Sequence, residues 1–320
     1  MKEIVKKSFW IIDILIIPLV FLATLLLKFV RRAGIRNMPY SKKIFFKLGV
    51  YPLLDHYYEP QFNFTDLGVP LNTPRLLNGI EWNDDVQLNL LKSFHYSGEL
   101  NILSDSYLSP LQYYFRNGSF ETGDAEFLYN IIRHSKPSRI IEIGSGHSTN
   151  IARLAIKKNM ETMPGYSCNH TCIEPFEMPW LEQLGIEIIR NKVEDVPLDI
   201  FKLLDKNDLL FIDSSHMVRP QGDVLTEIFS ILPCLNEGVI VHFHDIFSPR
   251  DYINEWLNKD IKFWNEQYLL EAFLMYNPNW KIISAVNYLQ HKFFDLVKEK
   301  CVRPLDNREP GSFYIQKIKI

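Results

Sequence analysis

The apolar positions of the chain fall into three regimes. From Phe9 to Leu27 nearly every residue is apolar, with Asp13 the only charge and Pro18 in the middle, a run close to the ~20 residues that cross a bilayer as a helix. From Asn37 to Ser119 the pattern is irregular, broken by Pro39, Pro52, Pro60, Pro70, Pro74 and Pro110. From Asp124 onward, helical periodicity alternates with short apolar runs. Helices are expected over 125–133, 148–157, 178–184, 198–204, 224–232 and 265–275, and strands over 139–143, 171–173, 186–189, 209–212, 239–241, 281–286 and 312–318. Short apolar runs bounded by turn residues are what strands buried on both faces of a parallel sheet look like. The expectation is an α/β fold with a doubly wound, mostly parallel seven-stranded sheet, preceded by an N-terminal membrane-associated helix. The chain then divides into an anchor segment (1–37), an N-terminal elaboration that is a candidate substrate cap (38–120) and a catalytic domain (121–320).

The first regime reads as an anchor. A cleaved signal has a shorter apolar region followed by small residues, whereas here Leu25, Leu26 and Leu27 run into Lys28, Arg31 and Arg32. Basic residues after the segment (Lys28, Arg31, Arg32, Arg36, Lys42, Lys43, Lys47) outnumber those before it (Lys2, Lys6, Lys7). The positive-inside rule therefore puts the large domain on the cytoplasmic face of a membrane. Asp13 is expensive at membrane depth and Pro18 favours a kink, so a bent anchor in one leaflet stays open beside a spanning helix.

Charge narrows the partners. With 35 basic and 38 acidic residues the formal net charge is −3, too weak a field to favour nucleic acid, which is held mostly by phosphate neutralisation. Four cysteines in 320 residues make no disulfide framework and fit a reducing compartment. Cys168, His170 and Cys172 alternate along one run, a spacing more often met in reduced thiols beside a strand than in a closed zinc site. The His56, Tyr57, Tyr58 cluster reads as packing ahead of a pocket wall.

Three motifs carry chemistry. The run Ile140-Ile-Glu-Ile-Gly-Ser-Gly-His-Ser-Thr149 is an apolar strand that enters a glycine turn and then a helix. Gly144, Ser145 and Gly146 form a turn whose backbone can approach a nucleotide-like cofactor, with the unpaired N–H groups of a helix start beyond it. A dinucleotide fingerprint would need glycine where Thr149 stands, and would not call for Glu142 two residues before the first glycine. At the end of its strand, Glu142 can reach a cationic group such as the ammonium of S-adenosylmethionine. Thr171-Cys-Ile-Glu-Pro175 ends the second strand with Glu174, placed to accept hydrogen bonds from ribose hydroxyls.

The fourth and fifth strands end in Leu209-Leu-Phe-Ile-Asp-Ser-Ser-His216 and Val239-Ile-Val-His-Phe-His-Asp-Ile246. Asp213, His244 and Asp245, on neighbouring strand ends, can share one divalent cation. Oxygen ligands favour magnesium or manganese, while the imidazole leaves room for zinc or iron. His216 is a candidate general base. Hydrogen-bonded cleft histidines without a metal are the competing reading.

From Gly123 to Glu271, and most specifically at Glu142-Ile-Gly-Ser-Gly146, Phe211-Ile-Asp-Ser-Ser-His216 and His244-Asp245, the sequence resembles the class I S-adenosylmethionine-dependent methyltransferases. Within them it is similar to the bacterial group called methyltransferase family 24, whose layout is related to catechol O-methyltransferase. The resemblance implies a Rossmann-like domain that binds S-adenosylmethionine, with Asp213, His244 and Asp245 as metal ligands and His216 in the place of a proton-accepting lysine. Two departures stand out. His244 replaces a carboxylate, and Lys192 stands where relatives carry an adenine-binding acid, so Glu194 or Asp195 would substitute. The implied reaction is methyl transfer to an oxygen of a small-molecule or lipid-linked acceptor at the membrane. A nicotinamide-dependent oxidoreductase, a metal-dependent hydroxylase and a non-catalytic membrane-bound binding protein stay open, since fold resemblance does not decide function.

Overall fold

The computed structural model describes residues 2–63, 66–176 and 178–319. The side chains of residues 2–8, and with them the basic groups of Lys2, Lys6 and Lys7, lie outside the described set. The chain separates into two compact units, Met1–Val69 and Pro70–Ile320.

The first unit begins with α1 (Lys2–Ala33), which runs without interruption through Pro18. Its stretch Phe9–Ala33 is 25 residues long and contains an unburied 18-residue window with a mean hydropathy of 2.6. At 1.5 Å per residue, 25 residues reach about 37 Å, more than the hydrocarbon thickness of a bilayer. After it comes α2 (Pro39–Leu48), which the sequence pattern did not anticipate. Pro39 occupies the first helical position, where the missing N–H costs nothing, so here proline starts a helix instead of breaking one. Gly49 closes it in the left-handed conformation. Arg31 is paired with Glu59 and lies 5.3 Å from the Tyr51 ring centre. The rings of His56, Tyr57 and Tyr58 lie tilted against one another, and both tyrosines are exposed. They pack on one another, at the surface and not in a core.

The second unit adds α3 (Asp84–Lys92), α4 (Asp124–Ser135), β1 (Arg139–Ile143), α5 (His147–Thr162), β2 (Asn169–Ile173), β3 (Glu187–Ile189) and β4 (Leu209–Ile212). It continues through α6 (Asp223–Thr226), α7 (Leu232–Cys234), β5 (Ile240–Phe243), α8 (Glu266–Leu274), β6 (Trp280–Ala285), α9 (Val286–Lys292), α10 (Phe294–Lys298) and β7 (Phe313–Lys317). The seven strands form one sheet in the order β3-β2-β1-β4-β5-β7-β6. Strands β3 to β5 pair in parallel, while β7 lies antiparallel between β5 and β6. The sheet is thus Rossmann-like and mostly parallel, as expected.

Side chains alternate across the sheet. Ile141, Ile143, Leu210, Ile212, Val241 and Phe243 enter one core. Ile140, Leu209, Phe211, Ile240 and Tyr314 enter the other, with Phe127, Ile131, Ile151 and Ala155 of α4 and α5. Three expected helices differ. The stretches 178–184 and 198–204 hold only tight turns, Leu181–Leu184 and Leu198–Leu203, each started by a nearby proline and too short to gain helical cooperativity. The helix over 224–232 is split by a wide turn at Glu227–Ile231, just before Pro233, which has no N–H to donate back.

Candidate active site

In an open parallel sheet, ligands sit beyond the carboxyl ends of the strands where the strand order reverses. Here that point lies between β1 and β4. Past it the ladder continues for one more bond on each side. Asp213 N–H donates to the Ile143 carbonyl at 2.9 Å and His244 N–H to that of Ile212 at 2.9 Å. Gly144 turns the chain with φ +80°, and a Cβ there would lie 2.0 Å from the Asp213 carbonyl oxygen. No other residue fits that crossing.

The turn is held from two sides. Ser145 N–H donates to Glu174 Oε2 at 3.2 Å, and Gly146 N–H donates to Thr149 Oγ1 at 3.1 Å. A cavity of about 380 Å³ opens beside it, lined by Gly144, Glu174, Lys192, Glu194, Asp213 and Ser214 among others. That volume is in the range of small-molecule sites. Asp195, the alternative to Glu194, does not line it. Glu142, Ser145 and Gly146 do not line it: Glu142 is buried, whereas Ser145 and Gly146 are half-buried. The Glu142 side chain is fully buried. Its Oε2 accepts from the Thr149 hydroxyl at 2.6 Å and the Cys172 thiol at 3.2 Å, while Oε1 has no partner among the described residues. His170 and Cys172 thus join Glu142, whereas Cys168 points to the carbonyl of Asn169.

The second half of the site gathers two carboxylates and two imidazoles. His216 Nε2 is 3.3 Å from Asp213 Oδ1 and 3.5 Å from Asp245 Oδ2. His244 Nδ1 is 3.5 Å from Asp213 Oδ2 and 3.4 Å from Asp245 Oδ1. His216 and Asp245 both adopt left-handed backbone conformations, φ +58° and +59°, which L-residues enter at a cost and which cluster at functional sites. Behind the cluster, His216 Nδ1 meets Glu266 Oε2 at 2.7 Å, and His244 Nε2 faces Asp124 Oδ2 at 3.7 Å. The Trp264 ring lies 4.3 Å from that of His216.

The electrostatics follow from this crowding. Burial disfavours charge on His216, but Asp213 and Glu266 outweigh it and hold the imidazole well above its ordinary pKa. Burial likewise opposes charge on His244, and Asp245 and Asp213 overcome it. Burial works against the Asp213 carboxylate too, yet His244 and His216 keep it well below the usual range. Asp245 is pushed up by burial.

The structure therefore brings Asp213, His216, His244 and Asp245 into one cluster and Gly144, Glu174 and Glu194 onto one cavity. Sequence reasoning gave no role to Asp124, whose place in the first turn of α4 looks like ordinary helix-end charge. Asp223 was also missed. It binds Ser215 through N–H and hydroxyl at 2.9 and 2.7 Å and lines the cavity.

Residues 141–246 match the profile of a family described as a methyltransferase domain, Methyltransf_24. An uncharacterised protein of Archaeoglobus fulgidus is 38% identical over 101 residues, which are 30% of this chain and 43% of that protein. The chain thus covers less than half the length of the curated relative it matches. Similar solved structures include the O-methyltransferase from Bacillus cereus in complex with SAH, at 12% identity and a TM-score of 0.35 over 74% of this chain and 92% of that one. Another is the O-methyltransferase TomG from Streptomyces achromogenes, involved in tomaymycin synthesis, in complex with SAM, at 14% identity and a TM-score of 0.35 over 72% and 90%. By the profile match, the part of the chain that carries the glycine turn and both polar strand ends is similar to a methyltransferase domain.

Proposed function

We propose that the protein is an S-adenosylmethionine-dependent O-methyltransferase acting on an acceptor met at the cytoplasmic face of a membrane, a small molecule or a lipid-linked envelope precursor. The observation that carries this reading is the glycine turn at the β1/β4 crossing, with Glu174 and Glu194 on the same cavity. The residues fit the cofactor. Glu174, on the cavity, suits ribose hydroxyls, while Glu142 keeps one buried oxygen without a partner beneath the turn. Glu194 is the polar group for the base edge. When bound, S-adenosylmethionine supplies a methyl group on an already activated sulfonium, so the protein's work is to orient the acceptor oxygen and take its proton.

The donor set beyond β4 and β5 also fits a divalent cation, magnesium or manganese by its carboxylates. Asp213, His244 and Asp245 would hold it. Each imidazole has a carboxylate at its far nitrogen, Glu266 or Asp124, the usual support for a ligating histidine. When bound, a cation there lowers the pKa of a coordinated hydroxyl. His216, with its Nδ1 held by Glu266, would act as the nitrogen base once a bound cation offsets the carboxylates that otherwise keep its imidazole protonated. The apolar surface of α1 supports the membrane placement, and residues 38–120 are the candidate cap over the acceptor.

One set of titrations tests these roles. Calorimetry of the full chain with S-adenosylhomocysteine should show micromolar binding, and Gly144→Val should abolish it. Metal analysis should find one divalent ion per chain, lost in Asp213→Asn. His216→Gln should stop turnover of a methyl acceptor while the ion is kept. Loss of the ion in His216→Gln would make His216 a ligand, and no binding of S-adenosylhomocysteine would end the reading.

A further inference from the structure

Helix α2 (Pro39–Leu48) has no buried residue. Tyr40, Ile44 and Leu48, spaced by four, line up along one side of it and are 80%, 56% and 69% exposed. Lys43 and Lys47 form the neighbouring row, both exposed, so an apolar stripe runs beside a basic one. Phe46 lies two residues from Ile44 and hence on the opposite side of the helix. From Lys28 to Leu54 the sequence carries Arg31, Arg32, Arg36, Lys42, Lys43 and Lys47 and no acidic residue. Arg31 is paired with Glu59, whereas Arg32, Arg36, Lys42, Lys43 and Lys47 meet no acid among the described residues.

The position of α2 is set by contacts at the foot of α1. The Tyr51 ring lies 6.1 Å from that of Phe45 and 6.0 Å from that of Phe46. The Arg31 guanidinium, in the last turn of α1, sits 5.3 Å from the same ring. Tyr51 thus ties the Phe45 and Phe46 side of α2 to the end of the apolar helix and leaves the Tyr40, Ile44 and Leu48 stripe uncovered. That end is where an inserted α1 meets lipid headgroups. An apolar stripe at that depth is covered by settling into the boundary between headgroups and acyl chains. The lysines beside it then select the headgroup: their stems lie along apolar surface while the ammonium groups reach the polar layer, where negative lipids attract them.

We propose that α2 is an interfacial helix that binds an anionic lipid surface, with Tyr40, Ile44 and Leu48 seated in the headgroup region and Lys43 and Lys47 on the phosphates of acidic phospholipids. This rests on the membrane placement of α1 proposed above. It adds a preference among lipids, which an apolar helix alone does not confer.

The test places the photo-crosslinker p-benzoylphenylalanine at Ile44 or, separately, at Phe46 of the full chain. Each protein is reconstituted into vesicles of phosphatidylcholine alone, or of phosphatidylcholine and phosphatidylglycerol in equal parts, and the adducts are read by mass spectrometry. At Ile44 the mixed vesicles should give lipid adducts at least about fivefold above those in phosphatidylcholine, the scale of one basic residue near an anionic surface, and well above those at Phe46. Lys43→Gln with Lys47→Gln should bring the yield down to that of phosphatidylcholine, while Lys43→Arg with Lys47→Arg should keep it. Equal yields in the two kinds of vesicle, or at Ile44 and Phe46, would overturn the proposal. So would chain-to-chain adducts at Ile44 in place of lipid, by making the stripe a contact between copies. In each of these cases the protein still floats with vesicles through α1. Protein that floats with neither kind would end the membrane reading itself, and this proposal with it.

Discussion

The two units of this chain use the same apolar residues to opposite ends. In the first, Leu15, Leu19 and Phe21 of α1 are 72%, 69% and 63% exposed. In the second, Leu128, Leu210 and Phe211 are fully buried. Scattered exposed leucines are ordinary, but a helix-long apolar surface calls for a partner or an apolar medium. Hydrophobicity alone therefore says nothing about where a residue ends up. Length decides: a short apolar run is buried on both faces of a sheet, and a helix-long run leaves an exposed apolar surface.

That contrast can be broken most forcefully at α1. Changing Leu15, Leu19 and Leu22 together to lysine should move the protein from the membrane fraction to the supernatant, since each lysine at a helix centre costs about 2.5–3.5 kcal/mol to insert. The thermal transition of the second unit should stay where it was. A triple variant that still sediments with membranes would undo the anchor reading. Next in size is the core. Phe211→Ala removes a ring packed 4.2 Å from that of His242, and urea unfolding should lose about 3–5 kcal/mol. A loss below about 1 kcal/mol would mean the site collapses freely and the two units differ less than their burial implies. The smallest effect is on the surface. Lys202→Ala breaks an exposed pair with Asp199, and no change in Tm should be resolved, because exposed ion pairs contribute little.

The same contrast explains what could be read from the sequence. The strands of the sheet were legible because each is a short apolar run buried on both faces, and the expected β1 and β4 coincide with the observed ones. Asp213, His216, His244 and Asp245 were legible as a group because polar residues directly after such runs must land on one sheet edge. Asp124 was not legible as a support of a histidine, and Glu266 was legible only as a pocket candidate among Trp264, Asn265, Glu266 and Gln267 at a helix start. They reach the cluster from helix starts far away in the chain, where an acid is already explained by the helix dipole. Helix α2 was missed because proline was read as a breaker, when its meaning depends on where the helix begins. The burial of Glu142 was hidden too. Sequence shows that it lies two residues before the turn, but only strand register shows that it shares a face with Cys172 and His170.

The placement of β7 has a consequence for how such a molecule is made. That strand follows β5 and β6 in the chain yet lies between them in the sheet. A ribosome that has delivered everything up to β6 has produced two pieces with no backbone bonds to share, β6 having nothing to pair with. If α1 enters lipid as proposed, attachment would come early in translation and completion of the sheet last. Until β7 threads into its slot, the flanks of β5 and β6 stay exposed as open templates for aggregation. Chaperone demand should therefore peak late in synthesis.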